Sequence, residues 1–175
     1  MAVRKFSFLI LCLALCFSAP LHASEAVGGG LSSAVKRTGL PVPRFASLRS
    51  DDVNMRSGPG QRYPVEWVYK RKGLPVEITA EFDTWRRIRD IQGTEGWVHQ
   101  ATLSGKRTVL IIGKGLQPIF TQNQPNAAIR GQAEPFVQGK AVKCDEQWCK
   151  IEFDSVKGYV KRESLWGVYP QEKID

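Results

Sequence analysis

Histidine is scarce in this chain. The 175 residues hold two, His22 and His99, and cysteine is nearly as rare, at four. Serine and cysteine hydrolases need an imidazole beside the nucleophile. His99 follows Trp97 and Val98 at a predicted strand end, where a surface role is the default, and His22 falls in a segment expected to be removed. No nucleophile-elbow pattern occurs. No carboxylate cluster has metal-loop spacing. The run Gly58-Pro59-Gly60-Gln61-Arg62-Tyr63 starts like a dinucleotide loop but lacks the last glycine and a following helix. No catalytic residue, metal ligand or cofactor is therefore expected. A sustained 3.6-residue period is also missing beyond the first two dozen residues, which argues against an α-helical fold.

Long apolar runs are limited to one place. Arg4 and Lys5 precede a stretch from Phe6 to Phe17 broken only by Ser7, and the small residues Ala19, Ala23, Ser24 and Ala26 follow. This order is that of a secretory signal. The run ends at Pro20 and is shorter than the roughly 20 apolar residues that span a bilayer. A signal peptide is expected over residues 1–23, with cleavage after Ala26 fitting equally well. Leu15 is too bulky for a lipoprotein box ahead of Cys16. The product is expected to be periplasmic or secreted and not an integral membrane protein.

Removal of the leader would leave Cys144 and Cys149. Two close cysteines in an exported chain read as a disulfide. Val142 and Cys144 share one parity, and Cys149, Ile151 and Phe153 another, which places the pair on a hairpin near its turn. Four residues lie between them in strand context, unlike a redox-active pair.

What the chain has in abundance is repetition. Gly96-Trp97-Val98 leads to Leu103 and Gly105, and Gly158-Tyr159-Val160 leads to Leu165 and Gly167, 62 positions on. Trp85-Arg86-Arg87-Ile88 precedes the first and Trp148-Cys149-Lys150-Ile151 the second. A repeat of this kind makes the chain two copies of one small domain. Residues 24–43, with Gly28-Gly29-Gly30, Pro41 and Pro43, read as a flexible linker. From Arg44 onward, short alternating runs between turn residues give an all-β signature. Strands are predicted near 46–55, 65–69, 76–82, 85–91 and 95–99, then near 108–112, 117–120, 136–137, 142–144, 149–153 and 158–160, with a helical turn at 126–131. The copies are taken as residues 44–107 and 108–175. From Gly73 to Trp85 is 12 positions and from Gly139 to Trp148 is 9, so the second hairpin is expected to be shorter.

Val53-Asn54-Met55-Arg56-Ser57-Gly58-Pro59-Gly60 reads as a strand end entering a tight turn. Gly58 and Gly60 permit positive φ, Pro59 fixes its own, and Asn54 can bond the turn backbone. With Trp85…Ile88 and Gly96-Trp97-Val98…Leu103, this run resembles the bacterial Src-homology-3 domain family over residues 46–105. Residues 108–168 look like a divergent copy, with Ile119 to Pro125 in place of the Asn-x-Arg-x-Gly-Pro run. The resemblance implies two tandem SH3-like β-barrels that act as non-catalytic binding or targeting modules, in the family often attached to cell-wall hydrolases.

Charge and aromatics concentrate in the first copy. Residues 44–107 carry 12 basic and 8 acidic side chains, and residues 108–175 carry 9 and 8. Aromatic faces stack on sugars or proline rings, and guanidinium forks hold carboxylates. The candidate ligand residues are Tyr63, Trp67, Arg56, Arg87 and Arg89, with Arg87 and Arg89 on one strand face. Trp85, Trp97 and Tyr159 are expected in the barrel cores. The expected partner is a cell-wall glycan or peptide, held by the first barrel. The alternative is an envelope protein whose extended segment is gripped by an adaptor. The export signal argues against nucleic acid. Oligomeric state is not legible in the sequence.

Overall fold

The computed structural model describes residues 38–175, so the leader, Cys12, Cys16, His22 and most of the linker lie outside the described residues. Fourteen strands follow in chain order: β1 Arg44–Leu48, β2 Val53–Arg56, β3 Val65–Tyr69, β4 Pro75–Phe82, β5 Trp85–Arg89, β6 Glu95–His99, β7 Leu103–Ser104, β8 Thr108–Ile111, β9 Gln117–Phe120, β10 Ile129–Ala133, β11 Gln138–Cys144, β12 Trp148–Glu152, β13 Lys157–Lys161 and β14 Leu165–Trp166. Short 3-10 turns at Gln100–Thr102 and Arg162–Ser164 occupy matching places. Among the described residues no helix is long and apolar enough to cross a membrane.

The strands form two antiparallel sheets, ordered β3-β2-β6-β5-β4-β1-β7 and β10-β9-β13-β12-β11-β8-β14. The second order is the first repeated, strand for strand. Each sheet bends around its own core. One core gathers Leu48, Val53, Met55, Tyr69, Val76, Ile78, Ile88 and Val98, and the other Val109, Ile111, Ile119, Cys144, Cys149, Ile151, Phe153 and Val160. The close approach of β2 to β6 requires Gly96, since a Cβ there would fall 2.6 Å from Met55 Cγ. Gly158 does the same against the Phe120 carbonyl at 2.7 Å.

Several expectations are corrected. The long first strand is two strands broken by a turn at 49–52. Residues 136–137 are not a strand, because Phe136 has φ 66° and cannot extend a ladder. The predicted helical turn at 126–131 runs instead into β10, paired to β9 with a bulge between Ile129 and Gly131. The two hairpins are equally long. Glu81 pairs with Arg86 in one and Cys144 with Cys149 in the other, each leaving the same loop. The counterpart of Gly73 is Phe136, not Gly139, since each donates its amide to the β1 or β8 carbonyl, at 2.8 Å to Leu48 O and 2.8 Å to Ile111 O. Trp97 and Tyr159 are half-buried on the outer sheet face, because Gly96 and Val98, and Gly158 and Val160, take the inward positions.

The barrels belong to one compact unit and touch through specific groups. Phe45 of β1 meets Trp166 edge to face at 5.1 Å and Tyr169 at a tilt at 4.7 Å. The Tyr169 hydroxyl donates to Glu77 Oε1 at 2.7 Å, and Thr108 Oγ1 donates to Gly73 O at 2.6 Å. Gln138 Nε2 donates to Lys72 O at 3.3 Å. Burial and the Glu77 carboxylate together push the Tyr169 phenol well above its ordinary range.

Candidate functional site

Register partners in a sheet share a face. Arg56 of β2 faces Trp97 of β6, and Trp97 faces Arg87 of β5. The outer face of the first barrel therefore carries a guanidinium, an indole and a second guanidinium in one row. Val65 of β3 continues the row beyond Arg56. The next row pairs Trp85 with His99, edge to face at 5.5 Å. His99 also accepts the Ala101 amide at 3.3 Å and caps a 3-10 turn, which is a structural role.

Arg56 Nη1 donates to Tyr63 O at 2.7 Å and ties the turn of residues 57–64 to β2. Arg56 therefore ties this turn; Asn54 stands exposed on β2 opposite Val68. The glycines also serve differently from expectation. Neither Gly58 nor Gly60 is among the positive-φ glycines. Gly58 is required because the Tyr63 ring lies against it, with Cδ1 at 2.5 Å from where a Cβ would stand. Arg62 sits over the Tyr63 ring at 5.1 Å. Trp67 projects from β3, 55% exposed, with its ring 6.5 Å from Tyr69. Tyr69 is buried, and its hydroxyl donates to Asp90 Oδ2 at 3.0 Å; burial first, then Asp90, raises that phenol well above its ordinary range.

The structure brings Arg56 and Arg87 into one outer row around Trp97, with Tyr63 and Arg62 in the turn that Arg56 ties, whereas Trp67 lies opposite buried Met55 and so on the other face of β3. Trp97 and Arg62 are members that sequence reasoning passed over. The parity of Gly96-Trp97-Val98 held the signal, because an inward Val98 turns Trp97 outward. Arg87 meets Glu95 at 2.6 Å and stays about half exposed. Arg89 is drawn to the barrel junction, where its Nε donates to Glu77 Oε2 at 2.8 Å beside the Tyr169 hydroxyl.

In the second barrel the same positions hold other residues. Register and turn bonds align Arg56 with Phe120, Tyr63 with Ala127, Trp67 with Gly131, Arg87 with Lys150 and Trp97 with Tyr159. Lys150 Nζ lies 5.7 Å from the Tyr159 ring centre. The cross-strand pair Glu77–Arg89 becomes Lys140–Glu152, with charges reversed. The expected disulfide joins Cys144 and Cys149, on adjacent strands. Asp145 closes that hairpin by accepting the Gln147 and Trp148 amides at 3.0 and 2.8 Å. Arg162, buried and missed in the sequence, gathers the Asp145, Tyr169 and Glu172 carbonyls. A cleft of about 610 Å³ beside it is lined by Pro125, Trp148, Lys161, Glu163 and Gln171. Its charges are of both signs, and none of the predicted ligand residues reaches it. Among the described residues no group of three or more His, Cys, Asp or Glu side chains could hold a metal ion.

Comparison with known proteins agrees with this architecture. The family model described as "Bacterial SH3 domain" matches residues 49–105 and 113–167. The Bacillus subtilis protein named "Putative N-acetylmuramoyl-L-alanine amidase YrvJ" is 27% identical over 128 residues, which is 67% of this chain and 24% of that protein. The chain therefore spans about a quarter of that relative's length. Among solved structures, NlpC2 of Trichomonas vaginalis is 12% identical, with 73% of this chain and 49% of that one covered at TM-score 0.32. NlpC1 of the same organism is 14% identical, with 78% and 50% covered, also at 0.32. Likeness that low carries no argument here.

Proposed function

Since the chain belongs to the bacterial SH3 domain family, we propose that it is an exported, non-catalytic binding protein whose first barrel attaches it to peptidoglycan or another acidic envelope polymer. The observation that carries this reading is the asymmetry between the copies. Their cores and folds match, yet Arg56, Tyr63 and Trp67 are replaced by Phe120, Ala127 and Gly131. The second copy folds the same way without those groups, and although Arg56 also ties its own turn, the aromatic pair Tyr63 and Trp67 is best explained by a ligand. Tyr63 and Trp67 supply stacking faces and low-entropy contact area. Arg56 and Arg87 flank Trp97 and offer charge to a carboxylate. Arg89 is held at the barrel junction by Glu77. The excess of 12 basic over 8 acidic residues in 44–107 favours an anionic polymer. A relative whose name is that of an amidase acting on muramoyl-alanine bonds is consistent with a wall setting.

The leader reading places the protein in the periplasm or outside the cell. Sedimentation with purified sacculi tests the proposal. Retention that survives moderate salt is expected, and failure to sediment defeats it. The alternative of a peptide adaptor has one observation in its favour, the free apolar edge of β3.

A further inference from the structure

β3 ends its sheet and is bonded to β2 alone. Val65, Trp67 and Val68 are 41%, 55% and 39% exposed on it. Edge strands of this kind invite another chain, and proteins usually blunt them with central charge, glycine or a covering segment. The second barrel does so. Its matching edge, β10, carries Arg130 in place of Glu66, Gly131 in place of Trp67 and Gln132 in place of Val68. Arg130 Nη1 is folded back onto Lys157 O at 2.8 Å. The first barrel's edge has one central charge, Glu66, but keeps Trp67 and Val68 where its duplicate has glycine and glutamine, which makes it the more apolar and less protected of the two edges.

Its surroundings state what it would accept. Residues 62–72 carry Arg62, Lys70, Arg71 and Lys72 against Glu66, whereas residues 126–136 carry Arg130 against Glu134. Lys70 meets Asp52, which leaves the excess positive. We propose that the free edge of β3 docks an extended, acidic peptide segment of an envelope protein as an added antiparallel or parallel strand. Main-chain bonds supply the pairing, Val65 and Val68 grip side chains on the outer face and Trp67 on the other, and the flanking cations select acid. A second copy is the less suitable occupant, because it would bring the same basic flanks and a chain charge of +8. The proposal does not rest on polymer attachment, since Tyr63 and Arg56 lie off the edge and only Trp67 is shared by the two readings.

Amide hydrogen exchange on the full chain tests it, with a capped peptide of alternating Val and Glu as probe and the Val-Lys peptide as control. The Val-Glu peptide is expected to slow exchange in residues 65–69 at least tenfold, to leave β10 unchanged, and to lose its effect at high salt. Glu66→Arg/Val68→Gln, which copies the β10 edge and keeps Trp67, is expected to abolish the protection while sacculus retention stays intact. Unchanged exchange in β3, equal protection by the Val-Lys peptide, or equal protection of β10 overturns the proposal. Concentration-dependent protection of β3 without peptide, with a dimer seen by sedimentation, overturns it in favour of self-pairing.

Discussion

At one cross-strand position the two barrels solve the same problem by different chemistry. Glu81 faces Arg86 in the first hairpin, and Cys144 faces Cys149 in the second. Arg86 and Glu81 are almost fully buried, 3% and 4% exposed, with Nε and Oε1 3.3 Å apart. Glu81 also receives Thr38 N at 2.8 Å and Thr38 Oγ1 at 2.7 Å, and pairs with Arg44. Arg86 is further satisfied by the Asp83 and Trp85 carbonyls and by Gln100 Oε1 at 2.6 Å. The ion pair depends on a whole set of partners, one of them Thr38 at the start of the described chain. The disulfide depends on none. Small domains of this size have marginal cores, and each copy has reinforced the same hairpin base.

The largest expected effect comes from breaking the ion pair. Glu81→Ala leaves Arg86 buried without its carboxylate and is expected to cost about 3 kcal/mol, at the lower end for such a loss because three other acceptors remain. Urea denaturation of the full chain measures it. Removing the clip by Cys144→Ser/Cys149→Ser is expected to cost about 2 kcal/mol, since a loop this short restrains little unfolded-state entropy. The same measurement under oxidising and reducing conditions checks this, with the wild-type protein alone responding to reductant. At the junction, Tyr169→Phe leaves Glu77 short of one donor while Arg89 stays, an expected loss of about 1 kcal/mol. A melting curve that separates into two transitions in that variant, one per barrel, would sharpen the comparison further.

The Glu81–Arg86 pair also shapes the response to pH. Burial alone would raise the Glu81 carboxyl, but hydrogen bonds from Thr38 and Arg44 and the charge of Arg86 overcome it and hold it at about 2, below the ordinary 4.5. The folded value lies under the unfolded one, so this contribution is complete above about pH 4.5 and is lost as pH falls through about 2. Glu81→Gln should flatten the acid limb of stability in that window. An unchanged limb would remove Glu81 from the account.

Much of this architecture was readable in the sequence. The spacing of the Gly-aromatic-Val runs gave the duplication, and strand parity gave the cysteine hairpin. Other features depend on distant partners and were not readable. Ile129-Arg-Gly-Gln-Ala lacks the branched alternation of a strand, yet β9 recruits it. Equal hairpin lengths were hidden because Phe136, and not a glycine, stands where the first copy has Gly73. The junction joins Glu77 to Tyr169, 92 residues apart, and no local pattern announces it. For the proposed site, the residue types of Tyr63, Trp67, Arg56 and Arg87 were legible, but not that the bulge at Glu66 turns Trp67 to the other face of β3 from Arg56. The roles of Gly58 and Arg89 were not, because the Tyr63 ring and the Glu77 carboxylate decide them.

The central claim is that the first copy binds the polymer and the second does not. It is tested most directly by sacculus sedimentation of two matched double variants, Tyr63→Ala/Trp67→Ala in the first barrel and Phe120→Ala/Tyr159→Ala in the second, each checked for an intact fold. The first is expected to lose at least about tenfold in retention, equivalent to about 1.4 kcal/mol, and the second to match the wild-type protein. Loss confined to the second variant, or full retention by the first, would contradict the account.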